Sequence, residues 1–174
     1  MSPDLNPEAE FAYGAGQINP IKAAYPGLVY DADELDYINF LCEQGYSTKL
    51  VKIIAGGNSN CPTKKGIDGK TFDLNYPAFV LPVSPSKSIT HVFHRTVTNV
   101  GSPNSTYKAK VISQKGLRIT VDPSVLTFKS LWEKLSYAVT VQGMIDHKFM
   151  ISTSLVWDDG TFQVRSPIVV YVPS

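Results

Sequence analysis

The sequence predicts a mainly β protein in which an antiparallel β-sandwich follows a smaller segment of helices and loops. From about residue 71 onward, apolar and polar residues alternate in short runs, as they do in strands with one buried face. Turn-forming residues separate these runs at intervals of about ten residues. Before residue 71, apolar residues recur at helical spacing behind capping residues.

The alternating runs define the strands. Each run places apolar residues two positions apart with polar residues between them, which indicates antiparallel strands with one face in a core. About seven such strands in roughly 100 residues are typical of a sandwich of the immunoglobulin or fibronectin III kind. The apolar positions are Tyr107, Ala109 and Val111; Leu117, Ile119 and Val121; Leu135, Tyr137, Val139 and Val141; Phe149, Ile151, Thr153, Leu155 and Trp157; and Val164, Ile168 and Val170.

Turn residues mark where these strands end. Asp159 and Gly160, between two apolar runs, predict a hairpin turn. Pro123 and Pro167 predict strand starts or sheet edges, because proline donates no hydrogen bond to a neighbouring strand.

Two short helices are predicted in the first 70 residues. One begins near Asp33 and Glu34 and ends at Gly45; the other begins at Ser47 and ends at the Gly56-Gly57 pair. Residues 11–20 are interpreted as a glycine-punctuated loop. The apolar stripes of the two helices are too narrow to form a core, so we expect the helices to pack on another part of a protein.

Composition excludes several functional classes. Hydrophobic residues make up 43% and charged residues 18%, which suits a packed core rather than a disordered chain. The net charge is +1 and the basic residues do not cluster in the sequence, so we expect no nucleic-acid partner. We also expect no membrane span, because the apolar stretches are only as long as strands. The first residues lack the pattern of a secretory signal, so either the protein is cytosolic or its true amino terminus lies upstream.

Two features bear on cellular location. Cys42 and Cys61 are the two cysteines, and their sequence context leaves a disulfide and a pair of free thiols equally open. Two cysteines without nearby histidines make a poor zinc site. Asn104, Ser105 and Thr106 form an N-glycosylation sequon between two predicted strands, at a position where a glycan could be accommodated.

The sequence offers no assembled catalytic site. His91 and His94 lie on a predicted strand, where a spacing of three places them on opposite faces, and His147 lies in a predicted turn. There is no serine elbow of the Gly-x-Ser-x-Gly type. Gly14 and Gly16 are interpreted as a tight turn, not a phosphate-binding loop. We therefore assign no catalytic residue, cofactor or metal ligand.

Several ordered motifs resemble one protein family. They occupy residues 11–20 (FAYGAGQINP), 23–31 (AAYPGLVYD), 36–42 (DYINFLC), 73–78 (DLNYPA), 95–101 (RTVTNVG) and 154–160 (SLVWDDG). In content and order they resemble the carboxy-terminal part of plant subtilisin-like serine proteases, the cucumisin-like subtilases. The nucleophile of that family lies in a Gly-Thr-Ser-Met motif, which this sequence does not contain.

The resemblance implies a division of the chain. Residues 1–70 would be the tail of a subtilisin α/β catalytic domain plus a linker, and residues 71–174 a fibronectin type III-like domain. It further implies a secreted protein with a Cys42–Cys61 disulfide and a glycan on Asn104. The partner would be the missing catalytic domain, with peptide substrates only in the intact parent, and this fragment alone would be inactive. Met1 would then be an internal methionine at which a truncated gene product begins.

Two other functions are kept as alternatives. The chain could be a free-standing secreted binding module, since sandwiches of this kind often mediate interactions. It could also be a regulator that docks on an intact relative. Residues 1–60 favour the carboxy-terminal portion of a protease over the free-standing module, because an independent module has no use for two helices that lack a core. Co-purification with an active protease would support the regulator.

Overall fold

The computed structural model describes residues 8–57, 59–61, 73–112, 114–145 and 150–173. Within them, four helices precede most of the strands. The helices are α1 (Glu10–Tyr13), α2 (Pro20–Ala23), α3 (Glu34–Glu43) and α4 (Thr48–Ala55). The strands are β1 (Leu28–Val29), β2 (Phe79–Pro82), β3 (Ser88–Asn99), β4 (Ser105–Val111), β5 (Leu117–Asp122), β6 (Val125–Phe128), β7 (Lys134–Met144), β8 (Met150–Asp158) and β9 (Gln163–Tyr171).

The strands form two sheets. Sheet A has the order β1-β3-β7-β5, and sheet B has the order β2-β9-β8-β4-β6. All neighbouring strands are antiparallel except β2 and β9, which are parallel. The predicted mainly β fold is therefore confirmed.

The core lies between the two sheets and follows the alternation of the sequence. Along β8, Ile151, Leu155 and Trp157 are buried at alternating positions. Side chains of both sheets contribute to the same hydrophobic cluster. Its largest fully buried members are Trp157, Tyr107, Phe79, Phe93 and Phe128.

Both predicted helices begin at their predicted N-caps and α4 ends at Gly56, whereas the C-cap of α3 is Gln44, one residue before the predicted Gly45. The Asp33 carboxylate accepts hydrogen bonds from the backbone amides of Leu35 (2.9 Å) and Asp36 (3.1 Å) at the start of α3. Ser47 caps α4, and Gly56 ends it in the left-handed conformation with φ 67°. Residues 11–20 were expected to be a loop, but α1 and α2 occupy parts of this stretch. A helix of one turn has no apolar repeat by which the sequence could reveal it.

Strand β1 was not predicted, and it brings the amino-terminal part of the chain into the sandwich. Its two residues pair with Asn99 and Thr98 of β3, and Leu28 is buried in the core. The next residue, Tyr30, reaches between the sheets. Its hydroxyl lies 2.6 Å from that of Tyr137 in sheet A and 2.9 Å from that of Ser166 in sheet B. Two residues are too few to show the alternation by which strands are recognised.

Gly27 lets this segment approach the sandwich closely. A Cβ atom at Gly27 would lie 2.7 Å from Cβ of Phe162 and 2.9 Å from the hydroxyl oxygen of Tyr107. Its φ of +83° also disfavours other residues. The position therefore requires glycine for both space and backbone conformation.

The β8–β9 hairpin is confirmed, and aspartates hold its turn. One oxygen of Asp159 accepts hydrogen bonds from the amides of Thr161 (2.8 Å) and Phe162 (2.6 Å). Asp158 pairs with the Lys110 amine at 2.6 Å and accepts from the Gly160 amide at 2.7 Å. The Lys110 hydrogen bond, followed by that of Gly160, lowers the pKa of Asp158 to about 2.

Pro167 lies inside β9, not at its start. It pairs with Ser154 of β8, whereas pairing with β2 begins one residue later, at Ile168. At Pro167 the strand is therefore locally an edge, where a missing amide hydrogen is tolerated.

We predict that Gly27→Ala lowers the free energy of unfolding by about 1–3 kcal/mol, because the added methyl group overpacks the contact with Phe162. Urea unfolding followed by circular dichroism measures the effect. Gly57→Ala is the control, because a Cβ there meets no atom within 4 Å. Equal stability of the two variants would contradict the packing role of Gly27.

We predict that Asp158 contributes to stability only above its folded-state pKa. Because that pKa is lowered from 3.8 to about 2, the contribution is complete above about pH 4 and is lost as the pH falls through 2. The urea midpoints of the wild type and Asp158→Asn should differ at pH 6 and converge near pH 2. Lys110→Met should remove most of this pH dependence, whereas a difference that is constant with pH would count against the prediction.

Candidate functional site

Among the described residues, His91 and His94 have separate contacts and do not form a catalytic group with each other. His91 is half-buried against the ring of Phe93, with ring centroids 4.4 Å apart. His94 is exposed, and its Nδ1 lies 3.2 Å from the carboxylate of Asp73. His147 lies outside the described residues. Within the described parts of the chain, no three His, Cys, Asp or Glu residues gather as a metal site would need.

The most densely connected polar region is the junction between β3 and residues 73–78. Strand β1 covers β3 only at Thr98 and Asn99, and side chains continue the pairing beyond that point. The Asn75 amide nitrogen donates to the carbonyl oxygens of Thr96 (2.9 Å) and Asp31 (2.7 Å), and its oxygen accepts from the Thr96 amide (2.9 Å). Asn75 thus replaces the missing neighbouring strand.

Asp73 likewise satisfies a backbone group of β3, at His94, two residues before Thr96. Its Oδ1 accepts a hydrogen bond from the backbone amide of His94 at 3.0 Å. Its second oxygen lies beside the His94 ring. Together, Asp73 and Asn75 satisfy backbone groups at an edge that would otherwise be open to other strands.

Arg95 holds the same segment from inside the sandwich. It is 4% exposed, and its guanidinium donates to the carbonyl oxygens of Tyr76 (2.8 Å) and Ala78 (3.4 Å). It also lies over the rings of Phe79 (4.8 Å) and Phe93 (5.5 Å to the centroids). Burial lowers the pKa of Arg95, while Tyr137 and Asp73 act in the opposite direction.

Asp31 closes the junction from the amino-terminal side. Its carboxylate accepts a hydrogen bond from the Thr98 hydroxyl and lies 3.3 Å from the amine of Lys134. These two contacts, first the hydrogen bond, lower the pKa of Asp31. A cleft of about 580 Å³ lies beside these groups, with Asp36, Asp122 and Ser136 also in its lining. The contacts among its lining groups join the amino-terminal segment, residues 73–78 and β3.

Cys42 and Cys61 are joined by a disulfide with an S–S distance of 2.05 Å. The bond links the end of α3 to the chain beyond α4, so the second helix lies within the closed loop. It thereby constrains a part of the protein that has few buried side chains, among them Ile38 and Val51.

The helical part of the chain exposes many large apolar side chains. Ile21 is 84% exposed and Ile53 is 70% exposed, in contrast to the closed core of the sandwich. Exposed apolar residues in such number are typical of a surface that another protein covers. We call these residues the helical surface; they are Ile18, Ile21, Tyr25, Leu35, Tyr37, Leu50, Ile53 and Ile54.

Asn104 is exposed immediately before β4, whereas its neighbour Ser105 is buried. The structure therefore places the sequon at a surface turn. Its use as a glycosylation site stays a prediction.

The motifs around Asn75 and Arg95 carry the family resemblance, but the sequence predicts no role for these residues or for Tyr30. One signal for Arg95 was available: it occupies an inward-facing position between Phe93 and Val97 on a predicted strand. A charged residue at such a position needs buried partners. The sequence carries no comparable signal for Asn75, because its partners are backbone groups of distant segments.

Residues 73–170 match the family model described as a fibronectin type-III domain. The chain belongs to the fibronectin type III domain family. The β3 edge, Arg95 and the hairpin at Asp159 all lie within this domain. In the described residues, none of the helices is long and apolar enough to cross a membrane.

The sequence as a whole is similar to plant subtilisin-like proteases, which confirms the resemblance stated above. It is 50% identical over 167 residues to subtilisin-like protease SBT4.6 of Arabidopsis thaliana, covering 95% of this chain and 22% of that protein. It is 47% identical over 174 residues to SBT4.3 of the same plant, covering 98% and 23%. The chain thus spans less than a quarter of the length of these relatives.

Solved structures offer weaker likenesses to part of this chain. A FixG-related protein from Vibrio parahaemolyticus aligns with a TM-score of 0.39 and 9% identity, covering 53% of this chain and 100% of that one. The VesB protease of Vibrio cholerae aligns with a TM-score of 0.37 and 13% identity, covering 56% and 30%. Likenesses at this level carry no conclusion about function.

We predict that Asn75→Ala lowers the free energy of unfolding by about 2–4 kcal/mol, because three hydrogen bonds to backbone groups are lost. Hydrogen exchange should show the loss locally, as faster exchange of the Thr96 amide. Asn39→Ala, which changes a half-buried asparagine of α3, is the control and should leave that amide protected. Unchanged exchange at Thr96 in the Asn75 variant would rule out the edge role.

Proposed function

We propose that this chain is the carboxy-terminal structural portion of a secreted subtilisin-like serine endopeptidase, and that it supports the catalytic domain without taking part in the chemistry. The observation that carries the proposal is the match along 95% of this chain to proteases of which it covers only 22%. In the intact parent, a serine activated by a histidine would attack the peptide carbonyl. The catalytic domain is the proposed partner, and peptides are the substrates of the parent alone.

The helical surface supports this proposal. The apolar side chains of Ile21, Leu35 and Ile53 are exposed, and the surrounding helical segment does not account for this exposure. A catalytic domain packed on α2, α3 and α4 would bury them and supply the stabilisation that the helices lack. A free-standing binding module, the alternative function, would have no reason to carry this surface.

The proposed division of the chain is a catalytic-domain tail and linker at residues 1–70 and the fibronectin type III-like domain at 71–174. Strand β1 and Tyr30 belong to the first part by sequence but contact the second. In this arrangement the tail is anchored in the sandwich, so that the two parts of the parent are held together by buried contacts rather than by the linker alone.

Secretion into the extracellular space is part of the proposal. The Cys42–Cys61 disulfide supports it, because such bonds persist mainly in oxidising compartments.

The first test is labelling of native tissue extracts with a serine-reactive fluorophosphonate, followed by identification of the labelled bands by their peptides. We expect label on a protein several times larger that contains the peptides of this chain, and none on a 19.1 kDa species. Label on the 19.1 kDa species would overturn the proposed lack of catalysis.

The second test is complementation. The catalytic part of Arabidopsis SBT4.6, produced without the region similar to this chain, should gain peptidase activity when refolded together with the chain. Ile53→Glu should reduce the recovered activity at least about tenfold, because it places a charge in the proposed contact.

Lys49→Glu is the control for complementation, because it adds negative charge to the same helix without removing an apolar side chain. The urea midpoints of both isolated variants should match the wild type. Full recovery of activity with Ile53→Glu would refute the helical surface as the contact.

A further inference from the structure

Trp132 is held at the surface in an unfavourable backbone conformation. It lies in the loop between β6 and β7, is 71% exposed and has a φ of +64°. Bulky residues rarely adopt this left-handed conformation, and such strain persists only where the surroundings impose it. Packing within the sandwich does not explain why a residue with a strained backbone carries a large, exposed apolar ring.

The surroundings of the loop do impose this conformation. The Trp132 amide donates to the carbonyl oxygen of Asn99 (2.8 Å), and the Asn99 amide donates to that of Glu133 (3.0 Å). The Glu133 carboxylate accepts hydrogen bonds from the amides of Lys129 (2.6 Å) and Ser130 (3.2 Å). These hydrogen bonds hold the backbone of the loop in place, and the loop presents the indole ring to solvent.

The same loop lies at the end of the sandwich that carries the sequon. The Asn99 side chain, 0% exposed, donates to the carbonyl oxygens of both Ser102 (2.7 Å) and Ser130 (3.1 Å), which links the two loops. Ser105 pairs with Phe128, so Asn104 leaves its strand where the Trp132 loop begins. Asn104 and Trp132 each lie two residues beyond a serine bonded to Asn99.

We propose that Asn104 carries an N-linked glycan whose first sugar packs on the indole ring of Trp132. The C–H face of an N-acetylglucosamine is apolar, and an exposed aromatic ring offers it a flat surface to cover. Trp132 is in this view the platform that orders the glycan. Natural attachment rests on the proposed secretion, because the transferase that attaches glycans acts in the secretory pathway.

The attachment is a group transfer from a lipid-linked oligosaccharide diphosphate. The amide nitrogen of Asn104 attacks C1 of the first sugar, a C–N bond forms, and the C1–O bond to the diphosphate breaks. The lipid diphosphate leaves, and the amide loses one proton. Thr106 completes the sequon that the transferase recognises.

The experiment uses the full chain, secreted from plant cells behind an added signal sequence. Mass spectrometry of the peptide containing Asn104 measures occupancy, with Thr106→Ala as the unglycosylated control. We expect a glycan on Asn104; an unmodified residue would overturn the proposal. Because the leader is supplied, this result is independent of whether the natural protein is secreted.

Iodide quenching of tryptophan fluorescence then tests the contact with Trp132. The chain has two tryptophans, and Trp157 is 0% exposed, so the quenchable emission comes from Trp132. Trimming the glycan to its first sugar should keep the quenching constant at about half that of the enzymatically deglycosylated chain, because one face of the ring is covered. Equal quenching constants for the trimmed and the deglycosylated chain would refute the contact between the sugar and Trp132. This outcome includes the case in which a protein surface, and not the sugar, shields the ring.

A displaced glycan provides the matched control. Ser86→Asn, combined with Asn104→Gln, creates a sequon with Lys87 and Ser88 at the opposite end of β3, in an exposed turn whose φ of 57° suits asparagine. This glycan should leave the quenching of Trp132 unchanged.

Thermal unfolding gives a second readout that does not depend on fluorescence. The glycan on Asn104 should raise the midpoint by about 2–4 °C when residue 132 is Trp or, in Trp132→Phe, another aromatic ring, and by less in Trp132→Ala. An equal rise in Trp132→Ala would contradict the contact.

Discussion

The open edge of β3 is the constraint on which much of the structure depends. Strand β1 is only two residues long, so the backbone groups of His94 and Thr96 lack a strand partner. Asp73 and Asn75 satisfy them with side chains. An unsatisfied edge would cost hydrogen bonds and invite pairing with other chains. The segment at residues 73–78 is therefore part of the sheet in energetic terms, although it is not a strand.

One buried and one partly buried polar side chain hold the same junction together. Arg95 ties the carbonyl groups of residues 76 and 78 to the rings of Phe79 and Phe93. Tyr30 ties the two sheets together through Tyr137 and Ser166. A buried cation is tolerated only with such partners, so Arg95 and its carbonyl groups depend on each other. The helical surface stands in contrast, because its apolar side chains are exposed within the described part of the chain.

Much of the fold could be predicted because its signals are local. The alternation of β7 and β8, the caps at Asp33 and Ser47, and the turn at Asp159 each lie within a few residues of sequence. The one-turn helices and β1 were missed, since elements of two to four residues show no period. The periodicity of apolar residues could not indicate the protein family. The ordered motifs did, and they correctly predicted the similarity to plant subtilisin-like proteases.

Sequence alone settled the mainly β class, the principal strands and the relationship to proteases, because periodicity and ordered motifs are properties of neighbouring residues. Tertiary structure decided which distant groups meet. Asn75 reaches Asp31 across 44 positions, and Tyr30 reaches Ser166 across 136. It also decided that Asn99 links the loop of Asn104 to that of Trp132. These contacts follow from sheet order and strand register, which set the spatial distance between residues that are far apart in sequence.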